Sequence, residues 1–385
     1  MKTPVIVDCC RTAIGRAHAE RGAFRDVRSD DLAASVVRAL VERTGIDPAA
    51  IEDVVLGNTQ QQQEQGFNVG RIVALLAGLP TSVGGATVNR LCGSSLQAIN
   101  QAAHAVAAGA EDVQIVGGLE HMHHVPMDAS VDFNPKLFHA TSKAALHMGY
   151  TAEFLAQTQG ISREAQDEFA LASHQKAAAA ADAGEFNREI VPVWGRDEAG
   201  ARTLVKDDQC IRRDTSLAAL ADLSPAFMPK IGTVTAGNSS PLNDGAAALL
   251  LMSEERAKEL GLTPLVRVRA TAVAGVDPAV MGTGPVPATK LALKRSRLRL
   301  SDIDLVELNE AFAAQALACI QMLKLDPAKV NVRGGAIAIG HPLGASGARI
   351  STTLIHSMIA RDATLGLATM CIGIGQGIAT VFERV

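Results

Sequence analysis

The sequence predicts an α/β fold in which one unit of helices and strands occurs twice. Each copy contains a helix, a helix-to-strand step, a sharp turn that leads into a second helix, and a further strand. In the first copy these are residues 29–43, 51–58, 92–109 and 113–116, and in the second they are residues 289–295, 300–309, 335–360 and 365–370. Two such units, each a mixed sheet between helices, would bury a shared helical layer.

The elements at the start of the chain follow from local patterns. Residues 5–8 form a short apolar run that is typical of a strand, and residues 29–43 form the first helix, which Gly45 stops. The glutamine run 60–63 predicts an exposed or interface loop after the next strand. At 385 residues the chain is long enough for two or three domains.

Residues 84–98 predict a strand that passes through a sharp turn into a helix, with Cys92 at the corner and Gly109 as the helix stop. A cysteine at a helix N-terminus faces the positive end of the dipole, which lowers the pKa of its thiol and makes the thiolate available. We therefore expect a nucleophile here. The alternative is an inert cysteine that packs as a small apolar residue.

Residues 119–243 differ in character from the two repeated units. Prolines interrupt this region, and its one strong helix is capped by Ser162 and runs to Gly184. The apolar run 245–252 then predicts a buried strand that returns to the first unit. The chain is thus expected to leave that unit and re-enter it.

Two glycine-rich loops near the end of the chain each carry one residue that can transfer protons. Residues 340–347 contain His341, and residues 370–377 contain Cys371. Glycine allows the backbone to approach a substrate closely and to present N–H groups to an oxyanion. Either loop alone is weak support for catalysis, since such loops also mark nucleotide sites or tight packing.

The sequence resembles the thiolase family in four segments, namely the Cys92 turn, residues 309–312 and the two glycine-rich loops. These segments occur in the family's order, and the resemblance extends over essentially the whole chain. The resemblance implies duplicated mixed-sheet α/β units in five layers with an inserted loop domain. It implies an N-terminal domain at residues 1–118 and 244–266, a loop domain that binds coenzyme A at 119–243, and a C-terminal domain at 267–385.

The resemblance also implies reversible cleavage of a 3-ketoacyl-CoA by coenzyme A, with no metal or redox cofactor. Cys92 would be the nucleophile, His341 the base and Cys371 the second proton-transfer group. Asn309 would position a water, and the Gly373 N–H would bind the oxyanion. The expected contacts with coenzyme A are His147, Met148, Arg212, Ser240, Ala311 and Phe312.

Several rival interpretations remain. Ile374 and Gln376 resemble the degradative branch of the family, and residues 121–127 resemble the thiolase subunit of bacterial fatty-acid oxidation complexes. A biosynthetic acetoacetyl-CoA thiolase would nevertheless share every catalytic residue. A decarboxylating ketoacyl synthase would have histidine in place of Cys371. A non-catalytic lipid-binding or scaffold member would have lost Cys92, His341 or Cys371, and all three are present.

The composition narrows the function classes further. A net charge of −4 gives no sign of nucleic-acid binding. Six scattered cysteines without a CxxC pair indicate neither a zinc ribbon nor a disulfide framework, and favour a reducing, cytoplasmic location. We expect no membrane segment. The resemblance to thiolases implies a homodimer or homotetramer, with a hydratase–dehydrogenase subunit as a further partner to consider. His121, His123 and His124 could form a metal site, but packing or a place beside the substrate is preferred.

Overall fold

The computed structural model describes residues 1–127 and 130–385 of the chain. The described α-helices are α1 (Ser29–Thr44), α2 (Val69–Leu76), α3 (Ser94–Ala108), α4 (Met148–Thr158), α5 (Arg163–Asp182), α6 (Leu217–Ala221), α7 (Glu254–Glu259), α8 (Pro285–Ser296), α9 (Ala313–Leu323) and α10 (Ser346–Ala360). The described strands are β1 (Pro4–Thr12), β2 (Gly15–Arg16), β3 (Asp53–Gly57), β4 (Ala86–Val88), β5 (Val113–His121), β6 (Ile190–Val191), β7 (Val193–Arg196), β8 (Arg202–Val205), β9 (Asn243–Ser253), β10 (Val266–Gly275), β11 (Leu305–Leu308), β12 (Leu365–Ile372) and β13 (Gln376–Arg384).

The sheet repeats one strand order in its two halves. The first half runs β4-β3-β5-β9-β1, with β3 parallel to β4 and β5, and with β9 antiparallel to β5 and β1. The second half runs β11-β12-β13-β10, with β11 parallel to β12 and the next two pairs antiparallel. A parallel bridge between Val306 and Val330 stands where β4 stands in the first half. The predicted duplication is confirmed.

The helices form three layers around these two half-sheets. One apolar core joins α1 and α2 to the first half, a second joins α3 and α10 to both halves, and a third joins α8 and α9 to the second half. Successive strand residues alternate between cores: Leu250 faces the outer helices and Leu249 the central ones. This is the period-2 geometry of a strand. The result is five layers, with α3 and α10 at the centre.

The two halves are joined where β1 pairs with β10, through Val5 opposite Arg267 and Ile6 opposite Val266. β1 also pairs with β9 and β6, so it extends well beyond the predicted residues 5–8. Pairing on both sides stabilises residues whose local sequence carries little strand signal.

The helix signals in the sequence are accurate to within about two residues for α1, α3 and α5, whereas α8 begins at Pro285, four residues before the predicted residue 289. α1 ends at Thr44, and Gly45 follows in the left-handed conformation with φ +66°. The Ser162 side chain accepts a hydrogen bond from the Ala165 N–H and caps α5, as predicted. β5 continues to His121, past the predicted domain boundary at residue 118, and the division into domains stays a prediction.

Candidate active site

The Cys92 turn lies between β4 and α3. Leu91 adopts a left-handed conformation with φ +46°, which is strained for a residue with a Cβ atom. The Ser94 hydroxyl holds this turn, because it accepts from the Arg90 N–H at 2.9 Å and donates to the Leu91 carbonyl at 2.6 Å. Gly93 is the N-cap of α3, so Cys92 precedes the N-cap by one residue, and it stays partly accessible to solvent.

The imidazole of His341 is held in one tautomer. Its Nδ1 lies 2.5 Å from the Ser346 hydroxyl oxygen, and that hydroxyl donates to the Pro342 carbonyl at 2.8 Å. Because the hydroxyl proton is used on Pro342, the oxygen accepts from Nδ1–H, which leaves the lone pair on Nε2. Nε2 lies 3.4 Å from the Asn309 amide nitrogen. The side chain is therefore arranged to accept a proton at Nε2.

The N-termini of α3 and α10 pack directly against each other, which brings the turn of Cys92 to the loop of His341. A Cβ atom at Gly347 would lie 2.3 Å from the backbone nitrogen of Leu96, so the contact requires glycine. The Ala348 N–H donates to the Ser95 hydroxyl at 2.9 Å. The glycines in residues 340–347 thus allow close packing of the two helices as well as the conformation of the loop.

Cys371 joins this group from the second half of the sheet. It lies near the end of β12, in the β12–β13 hairpin, whose turn places Ile374 and Gly375 at φ +62° and +82°. The Gly373 N–H from the same turn lies close enough to the Cys92 sulfur to favour its thiolate, and the Cys92 and Cys371 thiols lie close enough for their charges to interact. The two predicted cysteines therefore meet at one site.

The pKa of Cys92 departs from the expectation drawn from its place at a helix start. Burial raises the pKa of this thiol to about 11, although the backbone N–H groups of Gly373 and Cys92 itself act in the opposite direction. The expected lowering is wrong, because loss of hydration outweighs the stabilisation of the thiolate by these two N–H groups. Burial likewise raises the pKa of Cys371 well above its usual value.

His341 is neutral in the resting site. Burial, with the nearby Arg349 guanidinium, lowers the pKa of His341 to about 3. The two thiols and the imidazole are therefore all neutral at neutral pH, and no preformed thiolate–imidazolium pair is stabilised. Proton transfer must accompany attack on a substrate rather than precede it.

Asn309 follows β11 and faces His341. Its backbone N–H donates to the Thr369 carbonyl at 3.0 Å, which fixes it beside β12. Its Oδ1 is buried and has no hydrogen-bond partner within residues 1–127 and 130–385. This carbonyl oxygen is free to accept a hydrogen bond inside the site.

Most of the predicted coenzyme A contacts surround Cys371. Met148, Ala311 and Phe312 lie in one apolar cluster with Cys371, together with Phe227. The residues predicted from sequence that lie in or beside this cluster are His147, Met148, Ser240, Ala311 and Phe312. The Ser240 hydroxyl donates to the Ala311 carbonyl at 3.1 Å, and the His147 ring contacts the Tyr150 ring edge-on.

Arg212 lies apart from this cluster. It is exposed and lines a separate shallow cleft with Arg16, His174 and Ser239. The cleft connects to the Cys371 cluster through Ser239, which forms an antiparallel bridge with Phe312. A cleft with two arginines suits an anionic group.

Three residues near the site were not singled out from the sequence. Asn243 accepts the His341 backbone N–H at 2.8 Å through Oδ1, and Ser346 holds the imidazole. Phe227 packs edge-on against Phe312, with ring centroids 6.0 Å apart. Ser346 could have been found from its position in the His341 loop. Asn243 carries no local signal, because its partner is 98 residues away.

The histidines 121, 123 and 124 make protein contacts. His121 Nε2 lies 3.1 Å from the Phe24 carbonyl, and His124 Nδ1 lies 3.0 Å from a Glu64 oxygen. Within the part of the chain that the structure describes, no group of His, Cys, Asp and Glu side chains is placed to hold a metal ion. The same described residues contain no helix that is long and apolar enough to span a membrane.

Comparison with known proteins identifies relatives of the whole chain. A family model described as the N-terminal domain of thiolase matches residues 4–255, and one described as the C-terminal domain of thiolase matches residues 262–384. The 3-ketoacyl-CoA thiolases of Aeromonas salmonicida and Shewanella loihica are each 58% identical to this chain over 100% of both sequences. A crystal structure of the Bacillus anthracis acetyl-CoA acetyltransferase is 40% identical and superposes with a TM-score of 0.91, covering 100% of this chain and 99% of that chain.

Proposed function

Because the chain belongs to the thiolase family, we propose that it is a 3-ketoacyl-CoA thiolase, an acyltransferase that uses coenzyme A to cleave a 3-ketoacyl-CoA. The products are acetyl-CoA and an acyl-CoA shortened by two carbons, as in fatty-acid β-oxidation. The observation that carries this proposal is the 58% identity to 3-ketoacyl-CoA thiolases along the full length of both chains. The proximity of Cys92 to Cys371, and the packing of the Cys92 turn against the loop of His341, support the same chemistry.

In the first half-reaction the Cys92 sulfur attacks the C3 carbonyl of the substrate while its proton passes to His341 Nε2. The backbone N–H groups of Cys92 and Gly373 stabilise the resulting oxyanion. Donors of this kind typically contribute about 2.7–4 kcal/mol each to the transition state. Collapse of the tetrahedral intermediate breaks the C2–C3 bond, leaving an acyl-Cys92 thioester and the enolate of acetyl-CoA.

The enolate is then protonated at carbon. Protonated His341 and a water bound by Asn309 stabilise the enolate oxygen, and Cys371 gives its proton to C2. The high pKa of Cys371 suits this step, because a thiol that holds its proton in the resting site is available as an acid. Acetyl-CoA leaves, and Cys371 remains as a thiolate beside the acyl-enzyme.

The second half-reaction restores every group. Cys371 takes the thiol proton of an incoming coenzyme A, whose sulfur attacks the acyl-Cys92 carbonyl. Collapse expels Cys92, which recovers its proton from His341, and the shortened acyl-CoA is released. Each proton has a protein donor or acceptor, so we propose that the reaction needs no metal or redox cofactor.

Coenzyme A is proposed to lie across the Cys371 cluster, with its reactive end beside Met148, Ala311 and Phe312. Ser240 and His147 would contact the pantetheine arm. The adenine end would lie in the Arg212 cleft, where two arginines complement the phosphates. The Ser239–Phe312 bridge connects the two regions.

A biosynthetic acetoacetyl-CoA thiolase is the second candidate, favoured by the 40% identity to the Bacillus anthracis acetyl-CoA acetyltransferase. It would use the same residues in the condensing direction. A non-catalytic lipid-binding or scaffold role is the remote alternative. The chain-length preference of the enzyme separates the two catalytic candidates, and the absence of any turnover would support the third.

We further propose a homodimer or homotetramer in the cytoplasm. All six cysteines are free thiols, which suits a reducing compartment. A hydratase–dehydrogenase subunit is the hetero-partner to test, given the resemblance to thiolase subunits of fatty-acid oxidation complexes. Light scattering of the purified chain, alone and with such a subunit, measures the oligomeric state and the binding of this partner.

The test of the proposed function is coenzyme A-dependent thiolysis of 3-ketoacyl-CoA substrates of increasing chain length, with Cys92→Ala beside the parent. We expect activity that rises toward longer chains and is lost in Cys92→Ala. Activity confined to acetoacetyl-CoA would favour the biosynthetic candidate. No activity at any chain length would refute both.

A further inference from the structure

Glu120, near the end of β5, is a fully buried carboxylate surrounded by hydrogen-bond donors. Three donors converge on each oxygen. Oε1 accepts from Asn58 Nδ2, Gln60 N and Gln65 Nε2 at 3.0–3.2 Å, and Oε2 accepts from Thr59 N at 3.0 Å, Gly344 N at 2.9 Å and the Thr59 hydroxyl. Five of these six donors come from residues 58–65, which follow β3, and the sixth comes from the loop of His341.

This hydrogen-bond pattern favours an ionised carboxylate, whereas burial acts against it and raises the pKa of Glu120 above its usual value. A carboxylate offers about four lone-pair positions, all of them acceptors, whereas a protonated carboxyl would need an acceptor for its own proton. Five of the six groups around Glu120 can only donate. Within residues 1–127 and 130–385, no basic side chain forms an ion pair with Glu120. The donors therefore hold the charge in place of a counter-ion.

The bond to Gly344 connects this carboxylate to His341. Gly344 lies between His341 and Ser346, the residue that holds the imidazole. The fit at this point is close, since a Cβ atom on Gly344 would lie 2.5 Å from the Leu119 carbonyl and 2.9 Å from Glu120 Oε2. The carboxylate thus fixes the backbone between the base and the hydroxyl that orients it.

We propose that Glu120 is a positioning residue for His341, which anchors residues 340–346 to the loop at residues 58–65 through its carboxylate. This inference rests on the proposed function, because it assigns His341 the role of base. Glu120 does not contact substrate in this assignment. It acts through Gly344 on the position of the imidazole.

The charge of Glu120 gives the proposal a signature that a purely structural role lacks. The buried negative charge raises the pKa of the Cys92 thiol. Replacing Glu120 with glutamine removes the charge and places an NH2 group against three hydrogen-bond donors, which displaces the anchor. The Cys92 thiol should therefore ionise more readily and react faster with an alkylating reagent, while turnover of the substrate becomes slower.

The experiment compares Glu120→Gln with the parent enzyme in two assays. In steady-state thiolysis we expect kcat to fall by about 10²-fold, the order of loss for a displaced catalytic group, with the KM for coenzyme A unchanged. In iodoacetamide labelling of Cys92 at fixed pH, followed by mass spectrometry, we expect the rate to rise by roughly threefold, equal to a fall of about half a pKa unit.

Thr59→Val is the matched control. It removes one donor to the same carboxylate oxygen but keeps the charge and the Gly344 bond, so we expect a lower melting temperature with kcat within about twofold of the parent and unchanged labelling. Equal kcat losses in the two variants, or slower labelling in Glu120→Gln, would overturn the proposal. An inactive parent would instead refute the proposed function, while the labelling result would still stand.

Hydrogen exchange in the parent enzyme tests the anchor even where Glu120→Gln does not fold. The Gly344 amide, bonded to a buried carboxylate, should exchange as slowly as the amides of β5. Exchange at the rate of an exposed loop amide would overturn the proposal.

Discussion

The Nδ1 atom of His341 lies 2.5 Å from the hydroxyl oxygen of Ser346, five residues later in the chain. The hydroxyl is fixed in turn by its bond to the Pro342 carbonyl. This pair sets the tautomer of the imidazole and directs the lone pair of Nε2 toward Asn309. A base that must accept a proton from a thiol of high pKa depends on such an orientation.

Removal of the Ser346 hydroxyl should therefore slow the chemical steps. In Ser346→Ala the imidazole loses the acceptor for Nδ1–H, and we expect kcat to fall by about 10²-fold with little change in KM. Ser351→Ala is the control, because the Ser351 hydroxyl makes the same kind of bond, to the Gly347 carbonyl, on the same helix. Equal kcat values for the two variants in steady-state thiolysis would contradict the assignment.

The raised pKa of Cys92 predicts the pH dependence of its alkylation. With a thiol pKa of about 11, the thiolate fraction increases as pH rises toward that value. The rate of Cys92 labelling by iodoacetamide in the free enzyme should thus increase about tenfold per pH unit from neutral pH to about one unit below that pKa, without a plateau in this range. A plateau near neutral pH would show that the helix dipole dominates instead. Any labelling that remains in the Cys92→Ala variant comes from the other cysteines.

Asn309→Ala should separate carbon–carbon cleavage from acyl transfer. Only cleavage passes through an enolate, so loss of the proposed water site should lower thiolysis by about 10²-fold. Exchange of labelled coenzyme A into an acyl-CoA needs no enolate and should stay within a few-fold of the parent. Cys92→Ala, which should lose both reactions, is the reference. An equal loss of both reactions in Asn309→Ala would contradict the proposed role.

Cys371→Ala should lose turnover without losing the nucleophile. We expect thiolysis and coenzyme A exchange both to fall by about 10³-fold, the middle of the range for acid–base groups, because Cys371 moves a proton in each half-reaction. Labelling of Cys92 by iodoacetamide should persist. Cys319→Ala is the control, since Cys319 is an equally buried thiol that donates to the Gly282 carbonyl. Activity close to that of Cys319→Ala would exclude Cys371 from catalysis.

Local patterns in the sequence were enough to predict the repeated unit and the turn of Cys92. Apolar periodicity located α1 and α3, and glycines at 45 and 109 marked their ends, because helix geometry and left-handed caps depend on neighbouring residues. The extent of β1 was underestimated. Its strand is stabilised by partners on both sides, which lie more than 170 residues away along the chain.

Motifs in the sequence identified the candidate catalytic residues. Most of the predicted coenzyme A contacts lie around Cys371. Tertiary structure decided the environment of these residues. The pKa of Cys92 depends on burial by both halves of the sheet, so its direction could not be read from the helix start alone. The contacts of His341 with Asn243 and of Gly344 with Glu120 join residues separated by 98 and 224 positions, and local sequence carries no signal for such pairs.

The sequence by itself thus determined which groups are available for the chemistry: two thiols, an imidazole, an amide and loops rich in glycine. Only the tertiary structure decided their protonation states and which atom of each faces the site. The physical reason is that residue identity and local propensity are properties of short segments, whereas desolvation and hydrogen-bond geometry are set by packing between distant ones.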